Sequence, residues 1–346
     1  MYDLYWDNTI LDENGTIKDA IKVLNNSGKR IVLVCTDKKR LVGTVSDGDI
    51  RRGLVSGIDI DSPVTEITKR DAITASIKSE ENSLISLMDS KEILQLPLID
   101  DSFIVAGLYL RSFSSSPNPI ENPIVIMAGG LGKRLMPRTE NCPKPMLEVR
   151  GKPILQHIIE SAKNSGFKNF IISLNYLGHM IEDFFGDGQS FGINITYVTE
   201  EDPLGTAGAL SLINPVPSVP IIVANGDLIS DIDFGDLLNF HLQNNAIASM
   251  AVRVFENKQN FGVVRTEGIN IIGFEEKPVI KTKVNAGVYA LNPEALLAME
   301  YNTRCDMPSL FTKLQKRNNK TLAYLIYESW TDVGREDDYL KVNRIK

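Results

Sequence analysis

Beyond residue 122 the chain alternates short apolar, β-rich runs with stretches of helical period, and this constrains the fold more than any other feature of the sequence. The runs occupy 124–127, 170–174, 193–198, 220–224 and 247–254. Such alternation predicts an α/β domain with a mainly parallel sheet and helices on both faces. Sheets of this kind bind ligands beyond the carboxyl ends of their strands, so chemistry is expected in the residues that follow each run.

Before that region the hydrophobic period stops. Serine, proline and asparagine dominate 112–122, which predicts a linker over 114–122 between a first domain, 1–113, and a second, 123–346. The first domain holds a degenerate repeat at an offset of 64 residues. Ala20, Ile21 and Leu24, following Ile17 at helical spacing, fall opposite Leu84, Ile85 and Met88, so each half is expected to carry a short helix with one apolar face. Strand 31–34 matches 95–98, Asp37 matches Asp101 at a turn, and Gly43 matches Gly107 in the next strand. Each half reads as a small βαβ-type unit that buries its face against the other.

A chain of 346 residues, 43% hydrophobic and 23% charged, is long enough for two cores. Its net charge of −7 leaves no general basic surface for a nucleic-acid backbone or an anionic membrane, so neither partner is expected. Any phosphate chemistry has to come from local basic groups. The start, MYDLYWDNTI, lacks the basic and apolar segments of a signal peptide, and no apolar run approaches bilayer length, which predicts a cytoplasmic location. Cys35, Cys142 and Cys305 are far apart and odd in number, against a disulfide framework or a zinc site. His157, His179 and His241 have no ligand-like spacing, which favours packing or surface roles.

The run 124–127 leads directly into Ala128, Gly129, Gly130, Leu131, Gly132, Lys133, Arg134 and Leu135, then Pro137, Thr139 and Pro143-Lys144-Pro145. Glycines let main-chain amides approach phosphate oxygens, while Arg134 and Lys144 neutralise charge that amides cannot. Taken alone, the segment is a turn with surface cations. It carries neither GxxxxGK[ST] nor the third glycine of a dinucleotide fingerprint, so an ordinary ATPase loop and a nicotinamide site are both excluded.

The segment resembles the sugar-1-phosphate nucleotidyltransferase family, whose opening signature reads GGxGxRLxPxT followed by PKP. Six further blocks follow in order: Leu204 to Gly208, Asn225-Gly226-Asp227, Phe261 to Val264, Glu275 to Pro278, Asn285-Ala286-Gly287 and Trp330 to Gly334. The resemblance implies a Rossmann-like, mixed but mainly parallel α/β domain. It implies that Ala128, Gly129, Gly130, Gly132 and Arg134 hold the triphosphate, that Lys144 lies at the reacting phosphates, and that Lys277 binds the sugar phosphate. Gly262, Glu276 and Asn285 match positions that approach the sugar. Asp227 closes the run 220–224 and Asp332 follows a run over 322–327, and two carboxylates with phosphate oxygens suit Mg²⁺. Either aspartate by itself is more often a cap or a turn residue.

The reaction so implied is attack by a sugar-phosphate oxygen on the α-phosphorus of a nucleoside triphosphate, with pyrophosphate leaving. No general base is required, because the nucleophile is already ionised near neutral pH, and alignment and charge neutralisation carry the catalysis. Glu200 and Glu201 precede the loop of Gly205 and Thr206, which matches the family's base-binding loop. A carboxylate suits the paired N1–H and N2–H donors of guanine better than the single N3–H of uracil or thymine, which favours GTP, with solvated loop charges as the plainer reading. The resemblance to the guanylyltransferases of legionaminic-acid synthesis implies glucosamine 1-phosphate as the sugar, with mannose 1-phosphate, or the substrate of another NDP-sugar pyrophosphorylase, as the alternative.

Residues 1–113 resemble a tandem CBS pair, an α+β module that often binds adenosine nucleotides. The resemblance rests on the repeat and on Gly43-Thr44-Val45-Ser46-Asp47-Gly48-Asp49. It implies that Ser46 and Asp49 clamp a regulatory nucleotide, while their counterparts Leu110 and Phe113 have lost the clamp. Such modules associate with another copy, so a homodimer or larger assembly is expected, and a purely structural module is the alternative. A nucleotide-sensing protein with an inactive transferase domain is the alternative of a different class, opposed by the retention of Arg134, Lys144, Asp227 and Asp332.

Overall fold

The computed structural model describes residues 3, 5–91, 93–110 and 119–344, with the side chain of Arg344 excepted. The chain divides into two compact units, Met1–Ser114 and Ser115–Lys346. Residues 114–118 of the expected linker 114–122, together with Phe113, lie outside the described residues.

The first unit consists of two similar halves. In one, β1 (Ile10–Asp12), α1 (Ile17–Ser27), β2 (Ile31–Cys35) and β3 (Leu41–Ser46) form a three-stranded sheet, followed by α2 (Asp47–Val55). In the other, β4 (Ala75–Ser76), α3 (Glu81–Lys91), β5 (Gln95–Ile99) and β6 (Val105–Leu110) repeat the plan. In each, the first two strands are parallel and the third antiparallel. The offset of 64 holds element by element, since Ile31 and Gln95 open equivalent strands. Ile31, Leu33 and Cys35 of one half pack with Val105 and Leu108 of the other, so the two halves share a core. Burial pushes the Cys35 thiol up to about 11, which keeps it protonated.

One expectation for the repeat fails. Leu84 and Met88 are buried, but Ile85, matched to the buried Ile21, is exposed. Leu87 packs instead against the Leu84–Met88 cluster, so the apolar face of α3 turns away from Ile85.

The second unit runs β7 (Ile124–Met127), β8 (Glu148–Val149), β9 (Lys152–Pro153), α4 (Ile154–Asn164), β10 (Asn169–Leu174), α5 (Gly178–Phe185), β11 (Asn194–Thr199), α6 (Gly205–Gly208), β12 (Ile221–Asn225) and β13 (Leu228–Ser230). It continues with α7 (Phe234–Gln243), β14 (Ala248–Lys258), β15 (Val263–Glu267), β16 (Asn270–Glu275), β17 (Val279–Leu291), α8 (Pro293–Leu297), α9 (Met307–Lys316), β18 (Thr321–Ile326), β19 (Trp330–Asp332) and α10 (Glu336–Arg344). Seven strands form one sheet in the order β11-β10-β7-β12-β17-β14-β18, and β17 alone runs against the rest.

Two cores sandwich this sheet, as the period of two along each strand requires. Ile124 and Ile126 of β7 face a core with Ile158 of α4, Ile181 of α5 and Leu237 of α7. Val125 faces the other, with Leu296 of α8 and Leu310 of α9. The chain enters the sheet at β7, adds β10 and β11 on one side, and then crosses to β12 on the other. The carboxyl ends of β7 and β12 therefore flank a topological switch point, the place where open α/β sheets bind ligands.

Candidate active site

A cleft of about 250 Å³ opens at that switch point. It is lined by Met127, Ala128, Gly129 and Gly130 after β7, Lys144 and Pro145, Glu200 after β11, Pro203, Gly205 and Thr206 at α6, and Asn225, Gly226 and Asp227 after β12. Ladder geometry brings these loops together. Ala128 N donates to Ser173 O at 3.0 Å and Gly226 N to Met127 O at 2.9 Å, so the loops after β7 and β12 leave their neighbours in register.

Lys144 is nearly buried, and its ammonium bonds Asp227 Oδ2 and lies 3.7 Å from Asp332 Oδ1. Asp332 does not simply follow the strand over 322–327. It belongs to a separate strand, β19, which pairs antiparallel with β13 so that Leu228 faces Asp332, while Val333 N donates to Asp227 O at 3.0 Å. Two distant stretches of sequence thereby set their carboxylates side by side. Burial, then the charge of Asp227, raises the Asp332 carboxyl above its ordinary value, and Lys144 and Arg134 oppose that shift. Asp227 Oδ1 is buried without a hydrogen-bond partner.

An orphaned carboxylate oxygen beside a second carboxylate of raised pKa is a site short of positive charge. The donors are all oxygen, which fits a hard cation such as Mg²⁺. Among the described residues no cluster of three or more His, Cys, Asp or Glu could hold a metal ion. Asp227 and Asp332 thus suffice only for an ion that takes its remaining ligands from phosphate oxygens and water.

The glycine loop is braced from behind. Thr139 is fully buried and donates from Oγ1 to Gly132 O at 3.0 Å. Arg138 makes a forked contact with Glu336 of α10 at 2.8 to 3.0 Å and stacks over Tyr339 at 4.9 Å. A Cβ on Gly129 would lie 2.8 Å from Glu200 Oε1, so this position has to be bare. Arg134 lies on the following turn, exposed and outside the cleft lining, although its charge is felt at Asp332.

Glu200 is placed differently from a free base-reading carboxylate. It is 6% exposed, accepts from Ser173 Oγ at 2.5 Å through Oε1 and accepts from Leu204 N at 2.8 Å through Oε2. Both oxygens hold the protein together, so its evident work is to fasten the loop of Pro203–Thr206 to β10. Glu201, next to it, is exposed. Thr206 is fastened too: its N–H donates to Asp306 Oδ1 at 3.1 Å, and its hydroxyl accepts from Met307 N at 2.9 Å.

The sugar-side residues are not gathered into the cleft. Glu276 and Lys277 are exposed and 3.9 Å apart, and a side chain on Gly262 would meet Glu276 at 3.0 Å, so these three form one group at the root of the β15–β16 ribbon. Lys277 holds a φ of 44°, an uncommon value for a non-glycine residue. Asn285 is exposed, donating to Tyr289 Oη at 2.8 Å and accepting from Gly287 N at 2.9 Å.

In the first unit Ser46 and Asp49 are each other's partners. Ser46 Oγ accepts from Asp49 N at 3.3 Å, and Asp49 Oδ2 accepts from Ser46 N at 2.8 Å and Ser46 Oγ at 2.6 Å, a reciprocal capping box on α2. Thr16 and Asp19 cap α1 in the same way. The hydroxyl-x-x-Asp pattern thus caps both helices of this half, with Ser46 and Asp49 at the start of α2.

Sequence reasoning missed Ser173 and Asp306, and gave Asn225 no role although its buried Oδ1 is unpartnered at the cleft. A polar residue near the carboxyl end of an apolar strand was the available signal for Ser173. Two histidines take structural places and His179 is exposed: His241 is buried between Ser249 Oγ and Asn292 Oδ1, both at 2.9 Å, and His157 Nε2 is 2.7 Å from Val149 O. Among the described residues no helix is long and apolar enough to cross a membrane.

Residues 124–346 match the family model described as nucleotidyl transferase, and residues 6–56 match the CBS domain model. A mannose-1-phosphate guanyltransferase from Yarrowia lipolytica is 35% identical over 224 residues, covering 62% of this chain and 61% of that protein. The catalytic subunit beta of a mannose-1-phosphate guanylyltransferase from Danio rerio is 33% identical over 224 residues, 62% of each. The chain thus spans about three fifths of the length of these curated relatives. Among solved structures, a putative glucose-1-phosphate thymidylyltransferase from Bacillus anthracis superposes with a TM-score of 0.54 at 24% identity, over 65% of this chain and 94% of that one, a likeness of fold.

Proposed function

Because the chain belongs to the nucleotidyl transferase family over residues 124–346, we propose that it joins GTP to a sugar 1-phosphate with Mg²⁺, giving a GDP-sugar and pyrophosphate. The observation that carries this reading is Asp227, which lines one cleft with Lys144 and the glycine loop and is joined through Lys144 to Asp332 at 3.7 Å from that ammonium.

In the proposed reaction an oxygen of the sugar phosphate attacks the α-phosphorus in line, the bond from that phosphorus to the bridging oxygen breaks, and pyrophosphate departs on the far side. The nucleophile is already an anion, so the residues align and neutralise and no base is needed. Main-chain amides of Ala128, Gly129, Gly130 and Gly132 hold the triphosphate, with Arg134 at its outer charge. Lys144 exchanges its carboxylate partners for phosphate oxygens. Lys277 holds the sugar phosphate, with Gly262, Glu276 and Asn285 at the sugar. Mg²⁺ held by Asp227 and Asp332 would supply charge neutralisation at the α-phosphate and the leaving group.

The preference for guanine rests on the curated relatives, since Glu200 is engaged within the protein. Those relatives favour mannose 1-phosphate as co-substrate. The CBS match supports a second reading, glucosamine 1-phosphate in legionaminic-acid or surface-glycan synthesis, because that fusion is what the sequence resembles. The amino-terminal module is proposed to be regulatory and to self-associate; a nucleotide bound at Ser46 and Asp49 would have to share them with the cap of α2.

The test is pyrophosphate release from five nucleoside triphosphates, each paired with mannose, glucosamine, glucose and N-acetylglucosamine 1-phosphates. GTP with either of the first two sugars is the expected result. Activity with another base changes the specificity and keeps the chemistry, whereas silence across all pairs favours the nucleotide-sensing alternative.

A further inference from the structure

β14 and β18 run side by side as far as Arg253 opposite Ile326, where the chain of β18 leaves the sheet on its way to β19. Three successive carbonyls of that connection are held. Arg253 Nη1 donates to Glu328 O at 3.2 Å and to Trp330 O at 3.1 Å. Ser329 O, between them, accepts from Asp231 N at 2.9 Å and from Ser230 Oγ at 3.0 Å. The half-buried Arg253 guanidinium also lies 5.9 Å from the centre of the Trp330 ring, and the indole Nε1 donates to Ala286 O at 2.8 Å. Ala286 sits in a bulge of β17: Met250 faces Tyr289 and Val252 faces Asn285, so two steps along β14 span four along β17, with Gly287 at a φ of 73°. Arg253 and Trp330 therefore tie β19, which carries Asp332, to β14 and to the bulge beside Asn285.

We propose that Arg253 is a positioning residue of the transferase site, which sets β19, and through it Asp332, against Asp227 for the metal ion. The inference rests on the reading of Asp227 and Asp332 as metal ligands. Two observations favour it over a plain stabilising role. Among the described residues the Asp332 carboxylate is held only by Lys144 at 3.7 Å, so its place depends on its own backbone. That backbone pairs with β13 over three residues, which is short for a ribbon that supports itself. The charges felt at Asp332 are those of Asp227, Lys144, Arg134 and Asp338, so Arg253 acts through the carbonyls it holds and not as a counter-charge. Groups that orient a metal ligand without touching the metal change metal affinity by about 10–100-fold when removed.

The test measures, on the full chain, the affinity for the Mn²⁺ complex of GTP by calorimetry without sugar phosphate, together with amide hydrogen exchange over residues 328–333. Arg253→Met keeps an apolar stem and removes the donors, so affinity should fall by about 10–100-fold and exchange should quicken. Arg253→Lys restores N–H donors and should recover part of both losses. Arg253→Gln, too short to span both carbonyls, takes the place of Arg253→Met if that variant misfolds. With Asp332→Ala already present, Arg253→Met should weaken binding no further, because Arg253 acts through that carboxylate. Folded Arg253 variants that bind like the parent while Asp332→Ala does not, or losses that add to that of Asp332→Ala, overturn the proposal and leave the functional reading standing. If Asp332→Ala itself binds like the parent, Asp332 is no metal ligand and both fall.

Discussion

Lys144 sits between two carboxylates that would otherwise repel, and it shows how much of the site's electrostatics depends on single groups. Asp227→Asn keeps the volume and removes one charge, so pyrophosphate release should fall by about 10²–10³-fold or more while the melting temperature changes little. Lys144→Met should be the opposite kind of variant. It leaves Asp227 and Asp332 facing each other without a cation, so stability should drop together with activity. A metal ion can restore that charge balance, and Mg²⁺ should therefore raise the melting temperature of Lys144→Met more than that of the parent. Equal responses in a thermal-shift titration would argue against Asp227 and Asp332 as ligands.

At the scale of the element, two local devices have measurable consequences. Gly205 opens α6 at a φ of 82°, and a Cβ there would lie 2.6 Å from Asp306 Oδ1. Gly205→Ala should cost more than about 1 kcal/mol in denaturant titration and loosen the loop over the cleft. The second device is the cap of α1. Asp19, held by Lys22 and by Thr16, has its carboxyl lowered to about 2. A depressed folded-state value means that the unfolded chain binds the proton more readily, so the stabilisation is complete above the ordinary carboxylate value near 4 and is lost as pH falls toward about 2. Asp19 is partly exposed, which limits the effect of Asp19→Asn to about a few tenths of a kcal/mol at neutral pH. The difference between variant and parent should vanish in acid unfolding curves.

The molecule consists of two compact units with separate cores. A ligand stabilises only the unit that binds it. Saturating GTP with Mg²⁺, at about a hundred times its dissociation constant, should add about 2.7 kcal/mol to the unit carrying residues 124–346. Calorimetry should show that transition moving while the transition of the amino-terminal unit stays in place. If both move together, either the units unfold as one or GTP also binds the amino-terminal module.

Much of the architecture follows from periods that survive in the bare chain. Apolar runs buried on both faces are legible because charged residues are not tolerated there, and β7 begins and ends with its run of large apolar residues. The repeat at 64 residues is legible for the same reason, since strands of equal length leave equal spacing. Glycines and lysine next to a strand end also declare themselves, because the switch point of a sheet is where phosphate-binding loops belong. Tertiary structure decided the rest. Asp332 reached Asp227 only through the pairing of β19 with β13, strands of three residues whose partners lie about a hundred positions away. The partners of Glu200, Ser46 and Asp49 were hidden for the same reason, since a carboxylate or hydroxyl suits a phosphate, a base and a backbone amide alike, and only the fold shows which groups of the protein they meet. The exposed ribbon β15–β16 was equally hidden, since its apolar residues have the composition of a core strand and only the tertiary structure leaves them exposed.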